Sequence, residues 1–433
     1  MSDVRPSRNP LKKLRTKLDE LQQRHAARHR PAGFGFVLAD RIDYLDGAHW
    51  DALAASGGFF LRREVLRVIE EHGPENIQPR YAMVFLGRKP VALVVAQVVT
   101  VTGDRIGAGG MWAAEGTKRA VLRKMFSPAA KSARRHFRER MLVAGNLLSW
   151  GCHGVAFAAD EDPARLWHGV AEALYRIRRS ERLSGQTDLM MIKDLAANQA
   201  GADALRIMSY RPLATEPNMV LDLDPAWRTH DDYLAALDAK YRRKFKDLNK
   251  KLAAAGCTVE SLIDFVSHEQ RLHELYLAVQ GNAAVKLVTV SPAYLPRLAL
   301  AVGADFRCTV VRRGADVIGF VTSVRDGETA IGYYIGFDRA AAAEGLPIYL
   351  RLLQATVADA IHWRCRRLSL GRTALEPKAG LGAKPEPMAV WLRHRLPAVN
   401  WLVRGLLGAV PHAEAPERNP FKATSPDALA ERD

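Results

Sequence analysis

The hydrophobic pattern of this chain repeats, because two apolar runs separated by a short turn occur once in each half. In the first half the runs are residues 81–86 and 91–99, and in the second half they are residues 306–311 and 317–324. Apolar runs of this length, rich in Val, Ile, Phe and Tyr and separated by turn-forming residues, predict β-hairpins. The sequence therefore predicts one hairpin in each half.

Each predicted hairpin is followed by a third apolar run, a loop and a longer amphipathic segment. We predict third strands at residues 146–158 and 329–337. A helix follows in the first half, because apolar residues recur there at the spacing of one helical face: Leu166, Val170, Leu174 and Ile177. This shared order of elements, repeated after about 200 residues, predicts that a whole domain was duplicated.

The second copy is preceded by a further predicted helix, which starts at about residue 231. Its apolar stripe is formed by Leu234, Leu237, Tyr241, Phe245, Leu248 and Leu252. Another face of the same helix carries Arg242, Lys246, Asn249 and Lys250. The pattern predicts a helix with one buried face and one strongly basic face.

A chain of 433 residues is too long for one ordinary hydrophobic core, so we expect several domains. We predict a basic N-terminal arm at residues 1–33, a first domain at 34–228, a second domain at 229–411 and a flexible tail at 412–433. Apolar residues make up 48% and charged residues 25% of the chain, as in ordinary soluble globular proteins.

The sequence argues against export, membrane spanning and metal binding. It contains no uninterrupted apolar run of about 18 residues and no apolar signal segment behind its basic N-terminus. The four cysteines, which lack a CxxC pair, are read as buried thiols of a cytoplasmic protein: Cys152, Cys257, Cys308 and Cys365. No HExxH or similar ligand pattern is present, so we expect no metal.

The net charge of +16 is concentrated in three segments. Residues 1–32 carry a net charge of +6, residues 115–140 carry +7 and residues 240–251 carry +6. Such clusters attract anionic partners, and CoA phosphates, an acyl carrier protein, tRNA and an anionic membrane surface all qualify. The other interpretation is that these are solvated helix faces that keep the protein soluble.

These features resemble a known group of enzymes. A meander of strands, then a loop, a long helix and another strand is similar to the GNAT acyltransferase fold. Two such copies with a basic helix between them resemble the tandem FemAB-like acyltransferases. The segment Leu368-Ser-Leu-Gly371-Arg-Thr-Ala-Leu-Glu376-Pro-Lys378, followed by Leu381-Gly-Ala383, also resembles the closing segment of bacterial proteins in that group. The resemblance implies an α/β (α+β) protein with two tandem GNAT-like domains, each a mixed sheet flanked by helices.

The resemblance also implies an acyl-CoA donor whose pyrophosphate binds at the start of the long helix, and no permanently bound cofactor. In the second copy that loop implies a donor site formed by Arg339, Ala342, Ala343 and Gly345. The matching loop of the first copy runs from Ala158 to Pro163 and contains three consecutive acids. Because acids repel phosphate, we expect the first copy to be degenerate and the second to hold the active cleft.

Acyl transfer to an amine requires a base and a group that stabilises the carbonyl oxygen. We expect these near the carboxyl ends of the second copy's strands, where open α/β sheets bind ligands. The predicted catalytic residues are Glu376, Tyr334 and Tyr349. The predicted substrate-binding residues are Tyr333, Arg372, Lys378, Arg242 and Lys246. The alternative interpretation of the tyrosines is that they are half-buried packing residues. The alternative for Arg372, Glu376 and Lys378 is that they form ion pairs across a turn.

The function that follows is an N-acyltransferase using acyl-CoA or an acyl carrier protein and an amine acceptor. One alternative is a FemAB-like transferase that takes an aminoacyl group from tRNA. Another is a non-catalytic GNAT-fold protein that binds an anionic surface. Residues 389–410, which are apolar with interspersed Arg, favour that alternative somewhat, because they resemble an interfacial helix as much as a core element. We accordingly expect a cytoplasmic protein, for which a peripheral position at the inner face of the membrane stays open.

Overall fold

The computed structural model describes residues 32–102, 138–281, 286–400 and 418–422, with Asp19 and Pro416 as isolated positions. Nearly all of the predicted N-terminal arm and most of the basic segment 115–140 lie outside these residues. So do residues 401–415 and 423–433.

Thirteen strands form one mixed sheet in the described part of the chain. In chain order they are β1 (Phe34–Ala39), β2 (Ile77–Leu86), β3 (Lys89–Thr102), β4 (Arg138–Ala144), β5 (Val155–Phe157), β6 (Leu189–Ala196), β7 (Arg211–Asp222), β8 (Cys257–Ser261), β9 (Phe306–Arg313), β10 (Asp316–Asp326), β11 (Thr329–Phe337), β12 (Arg367–Ser369) and β13 (Lys384–His394). Both predicted hairpins are confirmed as β2–β3 and β9–β10, and the predicted strand 329–337 is β11.

Helices cover both faces of this sheet. They are α1 (Gly47–Ala54), α2 (Arg63–His72), α3 (Pro163–Ser180), α4 (His230–Ala236), α5 (Ala239–Ala254), α6 (Glu269–Gln280), α7 (Tyr294–Val302), α8 (Arg339–Ala343), α9 (Ile348–His362) and α10 (Leu375–Ala379). The stripe predicted from residue 166 onward lies on α3, and all four of its apolar side chains are buried. The predicted α/β class, with a mixed sheet flanked by helices, is confirmed.

The strands follow the spatial order β1-β2-β3-β4-β6-β13-β7-β12-β11-β10-β9-β8, and β5 pairs with β3. Each half contributes an antiparallel run that ends in one parallel pair, which is β4 with β6 in the first half and β11 with β12 in the second. The two arms of the sheet therefore repeat the same arrangement on either side of the central strands. This is the duplication that the hydrophobic pattern predicts.

The last strand of each half crosses over to the other half. Strand β7 follows β6 in the chain, yet it pairs with β12 of the second half. Strand β13 follows β12, yet it pairs with β6 of the first half. The two crossing strands also pair with each other along most of their length. Because each half supplies a strand to the other, the halves share one continuous sheet.

An apolar core also joins the halves beside the sheet. Phe59, Phe60 and Val65 of the first half belong to the same buried cluster as Tyr294 and Tyr333 of the second half. The ring centroids of Phe60 and Tyr333 lie 5.4 Å apart. Burial of aromatic surface of this kind is a large stabilising contribution. The halves are therefore held together by packing as well as by strand pairing.

The predicted strand at residues 146–158 is wrong for most of its length, since only Val155–Phe157 is extended. Gly151 adopts a φ of +103°, and a Cβ on Gly154 would lie 2.3 Å from the backbone nitrogen of Gly145. These residues form a tight loop that a strand could not follow. The counterpart of β11 is β4 instead, which begins with charged residues and falls in the segment that the charge analysis treated as a basic patch.

The helix predicted from residue 231 is two helices, because the chain becomes extended at Leu237. Leu237 is fully buried and forms a β-bridge with Phe421. The backbone N–H of Asp238 donates to the carbonyl of Pro420 at 2.8 Å. These contacts show that residues 418–422, inside the predicted flexible tail, are packed against the fold.

Of the two interpretations of residues 389–410, the core element is confirmed for residues 389–394, which belong to β13, and the interfacial helix is wrong there. Val390, Trp391 and Leu392 are each less than 10% exposed, because β13 lies between β6 and β7 near the centre of the sheet. An apolar run with interspersed Arg can be a buried strand as well as an amphipathic helix. Residues 401–410 lie outside the described part of the chain.

The strand exchange predicts that the two halves unfold together. Leu221 lies on the crossing strand β7 and is 1% exposed, so we expect Leu221→Ala to lower the free energy of unfolding by about 2–5 kcal/mol. Circular dichroism and tryptophan fluorescence in urea should report one coincident transition, shifted as a whole. Exposed Leu183→Ala serves as the control and should shift it little. Two separate transitions, of which only one moves, would contradict the shared sheet.

Candidate active site

The candidate site is built where the parallel strands of the second half separate. Strands β11 and β12 are paired from Thr329 to Ile331 and from Arg367 to Ser369. Beyond these residues β11 continues along β10, while the chain after β12 continues along β7 through hydrogen bonds between Leu370, Gly371 and Met219. Separation of neighbouring parallel strands at their carboxyl ends is where open α/β sheets bind ligands.

A cleft of about 190 Å³ lies between the elements that follow these two strands. It is bordered by α5, by the first turn of α9 and by α10. Its lining residues are Tyr241, Lys244, Phe245, Tyr349, Leu350, Glu376, Pro377, Gly380 and Arg418. Two of the three predicted catalytic residues, Tyr349 and Glu376, are thus brought to one cleft.

Glu376 is neutralised by an ion pair with Arg418, which also bonds to the hydroxyl of Tyr241. Arg418 is held there because its neighbour Phe421 packs against Trp227 and Tyr233. The carboxylate is 56% exposed and faces the cleft from the first turn of α10. To act as a base, the Glu376 carboxylate would either lose its contact with Arg418 or accept the proton while still paired with the Arg418 guanidinium.

The loop between β11 and α9 is stabilised by its own acidic residue. Asp338 Oδ1 accepts hydrogen bonds from the backbone N–H groups of Ala340 at 2.8 Å and Ala341 at 3.3 Å. Glu344 accepts from Arg313 at 2.7 Å. Backbone donors at such a turn are the groups that would bind a phosphate, and here a carboxylate already accepts from two of them.

The four predicted donor-binding residues all lie in this loop. Arg339, Ala342 and Ala343 belong to the short helix α8, and Gly345 follows it with a φ of +84°. A Cβ at Gly345 would lie 3.4 Å from the ammonium nitrogen of Lys251 on α5. The structure therefore places a cation beside the glycine that precedes α9. The donor-binding roles of the four residues stay predictions.

Lys378 is a buried amine close to the cleft. It lies on α10 between cleft-lining Pro377 and Gly380 and is only 3% exposed. Within the described residues no carboxylate or hydrogen-bond acceptor pairs with its ammonium group. Burial lowers the pKa of Lys378 to about 7, because the charged form loses its hydration without a compensating partner. Its predicted substrate-binding role stays a prediction.

The predicted tyrosines lie on the opposite face of the sheet from the cleft, in the core shared with the first half. The hydroxyls of Tyr333 and Tyr294 are 2.7 Å apart, and the hydroxyl of Tyr334 donates to the carbonyl of Leu148 at 3.5 Å. Burial raises the pKa of Tyr333 and of Tyr334 well above the usual value. Both phenols are therefore protonated at neutral pH and can donate a proton but cannot serve as bases.

Arg372, a predicted substrate-binding residue, forms an ion pair with Asp194 of the first half. Its guanidinium donates to Asp194 Oδ1 at 2.8 Å, and Asp194 also pairs with Lys193. Asp194 is fully buried with a φ of +55°, a conformation that few non-glycine residues adopt. Asp194 and Lys193 directly follow Ile192, where the parallel pairing of β4 and β6 ends. The end of the first half's parallel pair is therefore occupied by this charged network.

The two remaining predicted residues lie on α5 and away from the cleft lining. Arg242 donates to the carbonyls of Ala235 and Leu237, each at 3.2 Å, and so stabilises the break between α4 and α5. Lys246 is exposed. The cleft is lined instead by their neighbour Lys244.

Sequence reasoning missed Trp150, which comes from the first half and covers the end of β12. Its indole N–H donates to Ser369 Oγ at 2.9 Å. A Cβ at Gly371 would lie only 2.9 Å from the indole ring, so glycine is needed there for the two to pack. No local pattern could have connected positions more than 200 residues apart in the chain.

A known protein family matches the part of the chain that contains most of this site. Residues 239–379 match the sequence profile described as an acetyltransferase (GNAT) domain. The second half of the chain therefore carries a match to a GNAT domain. The matched GNAT domain runs from the first residue of α5 to the last residue of α10. It therefore includes the separated strands, the loop before α9 and most of the cleft.

Solved structures resemble the chain over both halves. The crystal structure of FemX has 11% sequence identity and a TM-score of 0.50, with 84% of this chain and 98% of that chain covered. A tandem GNAT protein from the clavulanic acid biosynthesis pathway has 12% identity and a TM-score of 0.47, with 84% and 99% covered. No curated protein matches the sequence. The tandem GNAT-type fold implied by the sequence resemblance is confirmed.

Two further observations apply to the residues that the structure covers. None of their helices is both long and apolar enough to cross a bilayer. They also contain no cluster of three His, Cys, Asp or Glu side chains arranged to bind a metal ion.

Burial of Lys378 predicts a specific pH dependence of stability. Because its pKa falls from about 10.4 when unfolded to about 7 when folded, the unfolded state binds the extra proton between these values, and stability rises with pH there. Below pH 7 the full cost applies, which is about 5 kcal/mol at most. Lys378→Met should therefore stabilise the protein most at pH 6–7 and progressively less toward pH 10.

The measurement is urea unfolding of the parent and of Lys378→Met at each pH, and the quantity compared is the difference between them. Exposed Lys250→Met is the control, since its ammonium stays hydrated in both states. A Lys378→Met difference that is independent of pH would show that the ammonium is hydrated in the folded protein.

Proposed function

We propose that the second half transfers an acyl group from a thioester, acyl-CoA or an acyl carrier protein, to an amine acceptor. The observation that carries this proposal is the separation of β11 and β12 directly beside a cleft that holds Tyr349 and Glu376. The GNAT match supports the reaction class, and acyl-CoA is the donor that this family uses. The four thiols fit a reducing cytoplasm, in line with our expected location.

In the proposed reaction the amine attacks the thioester carbonyl carbon, the C–S bond breaks and an amide forms. The nitrogen loses a proton to a base, for which Glu376 is the candidate in the cleft. The sulfur leaves as a thiol after gaining a proton, for which Tyr349 is the candidate in the cleft; the predicted role of Tyr334 does not fit, since its hydroxyl lies in the core on the other face of the sheet. Burial raises the pKa of Tyr349 to about 12, which keeps the phenol protonated but makes it a weak acid, so its assignment rests on its place in the cleft.

A FemAB-like transfer of an aminoacyl group from tRNA is the second candidate, and one observation favours it. Asp338 already accepts from the backbone N–H groups that a CoA pyrophosphate would use in this loop. A donor without a pyrophosphate avoids that conflict. Binding of an anionic surface without catalysis is the third candidate and rests on the exposed charge of α5.

Arg339 provides a test of the donor site. If its guanidinium contacts donor phosphate, loss of one charge-assisted hydrogen bond should weaken binding by about 10- to 100-fold. We expect calorimetric titration of CoA into Arg339→Ala to show this loss with unchanged thermal unfolding. Arg88→Ala, an exposed arginine in the first half, is the matched control. Equal CoA affinity in both variants would remove Arg339 from the site.

Glu376 provides a test of the chemistry. Glu376→Gln keeps the side-chain shape but removes basicity, so we expect kcat to fall by about 10²- to 10⁴-fold, with a smaller change in the KM of the donor. Arg418→Gln is the control, because it breaks the same ion pair and leaves the carboxylate in place. Parental turnover in Glu376→Gln would make the residue structural.

A further inference from the structure

Helix α5 presents an exposed basic surface beside the cleft. Asp247 is the one exposed acid of this helix. Six of its cations are exposed: Lys240, Arg243, Lys244, Lys246, Lys250 and Lys251. Asp247 offsets one of these charges: it lies 3.7 Å from Arg243 and on the same stripe of the helix as Lys244 and Lys251, so six exposed cations against one acid leave a net charge of +5. The remaining charge is available to an anionic partner.

Three of these lysines form a row along the edge of the cleft. Lys240, Lys244 and Lys251 are spaced i, i+4 and i+11, which places them on one stripe of the helix over about 17 Å. Lys244 lines the cleft itself. Lys251 lies next to Gly345 in the loop before α9. The row therefore runs from the side of the cleft to the loop at the start of α9.

The cleft itself is narrow, and Tyr349 and Leu350 line it from the first turn of α9, which has no side-chain cap. Its volume of about 190 Å³ is below the roughly 300–1,000 Å³ of sites that enclose a whole small ligand. Asp338 accepts from two N–H groups of the adjacent turn, and Glu344 would repel a second phosphate. An extended arm with one phosphodiester suits this site better than the bulky adenosine diphosphate end of CoA.

We infer that the acyl donor is a thioester on the phosphopantetheine arm of an acidic carrier protein, and that the row Lys240–Lys244–Lys251 docks it. This inference rests on the proposed acyl transfer in the second half. The arm enters the cleft beside Lys244, and an acidic helix of the carrier lies along the lysine row. Complementary charge of this kind steers association and fixes the orientation of the complex.

The composition of α5 disfavours the other anionic partners. Single-stranded RNA sites combine cations with exposed aromatic rings, but Phe245 is buried and Tyr241 is half-buried against the core. Interfacial helices insert large apolar side chains into the bilayer, but the exposed uncharged residues of α5 are alanines: Ala239, Ala253 and Ala254. A protein helix with an acidic face needs neither feature.

The test is binding of fluorescently labelled holo acyl carrier protein, measured by anisotropy at low and at high salt. The triple variant Lys240→Glu, Lys244→Glu, Lys251→Glu should weaken binding by at least about 10-fold at low salt, and added salt should weaken parental binding. The control variant Arg88→Glu, Arg179→Glu, Arg182→Glu makes the same charge change on exposed residues of the first half. It should stay within about 2-fold of the parent.

A single Lys240→Glu variant guards against misfolding of the triple variant and should show a smaller loss in the same direction. Carrier binding that is absent, or that both triple variants reduce equally, overturns the inference. So does tighter binding of unfractionated tRNA or of phosphatidylglycerol vesicles to the same lysine row.

Thiol release from acetyl and octanoyl thioesters, with a panel of amines, separates this inference from the proposed function. Faster release from the carrier than from CoA, lost in the lysine variant, supports both. Equal release from the carrier in parent and lysine variant overturns the docking inference and leaves acyl transfer standing. Carrier binding that depends on the lysine row, without thiol release from either donor, supports docking and contradicts the proposed transfer.

Discussion

The antiparallel pairing of β13 with β7 is the interaction on which the rest of the structure depends. Each of these strands comes from one half of the chain and lies against the parallel pair of the other half. Removing either strand would leave unpaired backbone groups in both halves, which is costly in a buried sheet. The shared aromatic core around Phe60 and Tyr333 can then form only with both halves in place. The fold is thus a single cooperative unit although its sequence is duplicated.

This arrangement brings the ends of both parallel pairs toward a common junction, and side chains then make the two ends different. In the first half, Lys193 and Asp194 follow the paired residues, and Arg372 reaches across from the second half to pair with Asp194. In the second half the glycine Gly371 follows, and the cleft beyond it is lined by α5, α9 and α10. One half therefore uses its site to hold the molecule together, while the other keeps a cleft.

The spacing of apolar residues along the chain predicted the elements whose form depends mainly on neighbouring residues. The hairpins, β11 and the buried face of α3 follow from residue spacing alone. Strand β4 was missed because it starts with Arg138, Glu139 and Arg140. For β13 the sequence left a core element and an interfacial helix equally open, because the strands that pair with it lie far away in sequence. The cleft was predicted in part, through Tyr349 and Glu376. The burial of Lys378 and the hydrogen bonds of Asp338 could not be predicted, because both depend on tertiary contacts or loop geometry that spacing does not encode.

The electrostatics of the cleft follow from the same geometry. Asp338 already accepts from the N–H groups of Ala340 and Ala341, so in that turn an anionic ligand would be held by side chains. The cations that line the cleft are Lys244 and Arg418, and Lys251 lies next to Gly345 in the adjoining loop. Side-chain cations sit on flexible stems and hold a charge without fixing the orientation of a phosphate as backbone donors do. A donor held in this way needs further contacts to orient its thioester, and a tethered carrier protein supplies them through its own surface. The basic face of α5 and the narrow cleft are then two parts of one recognition site.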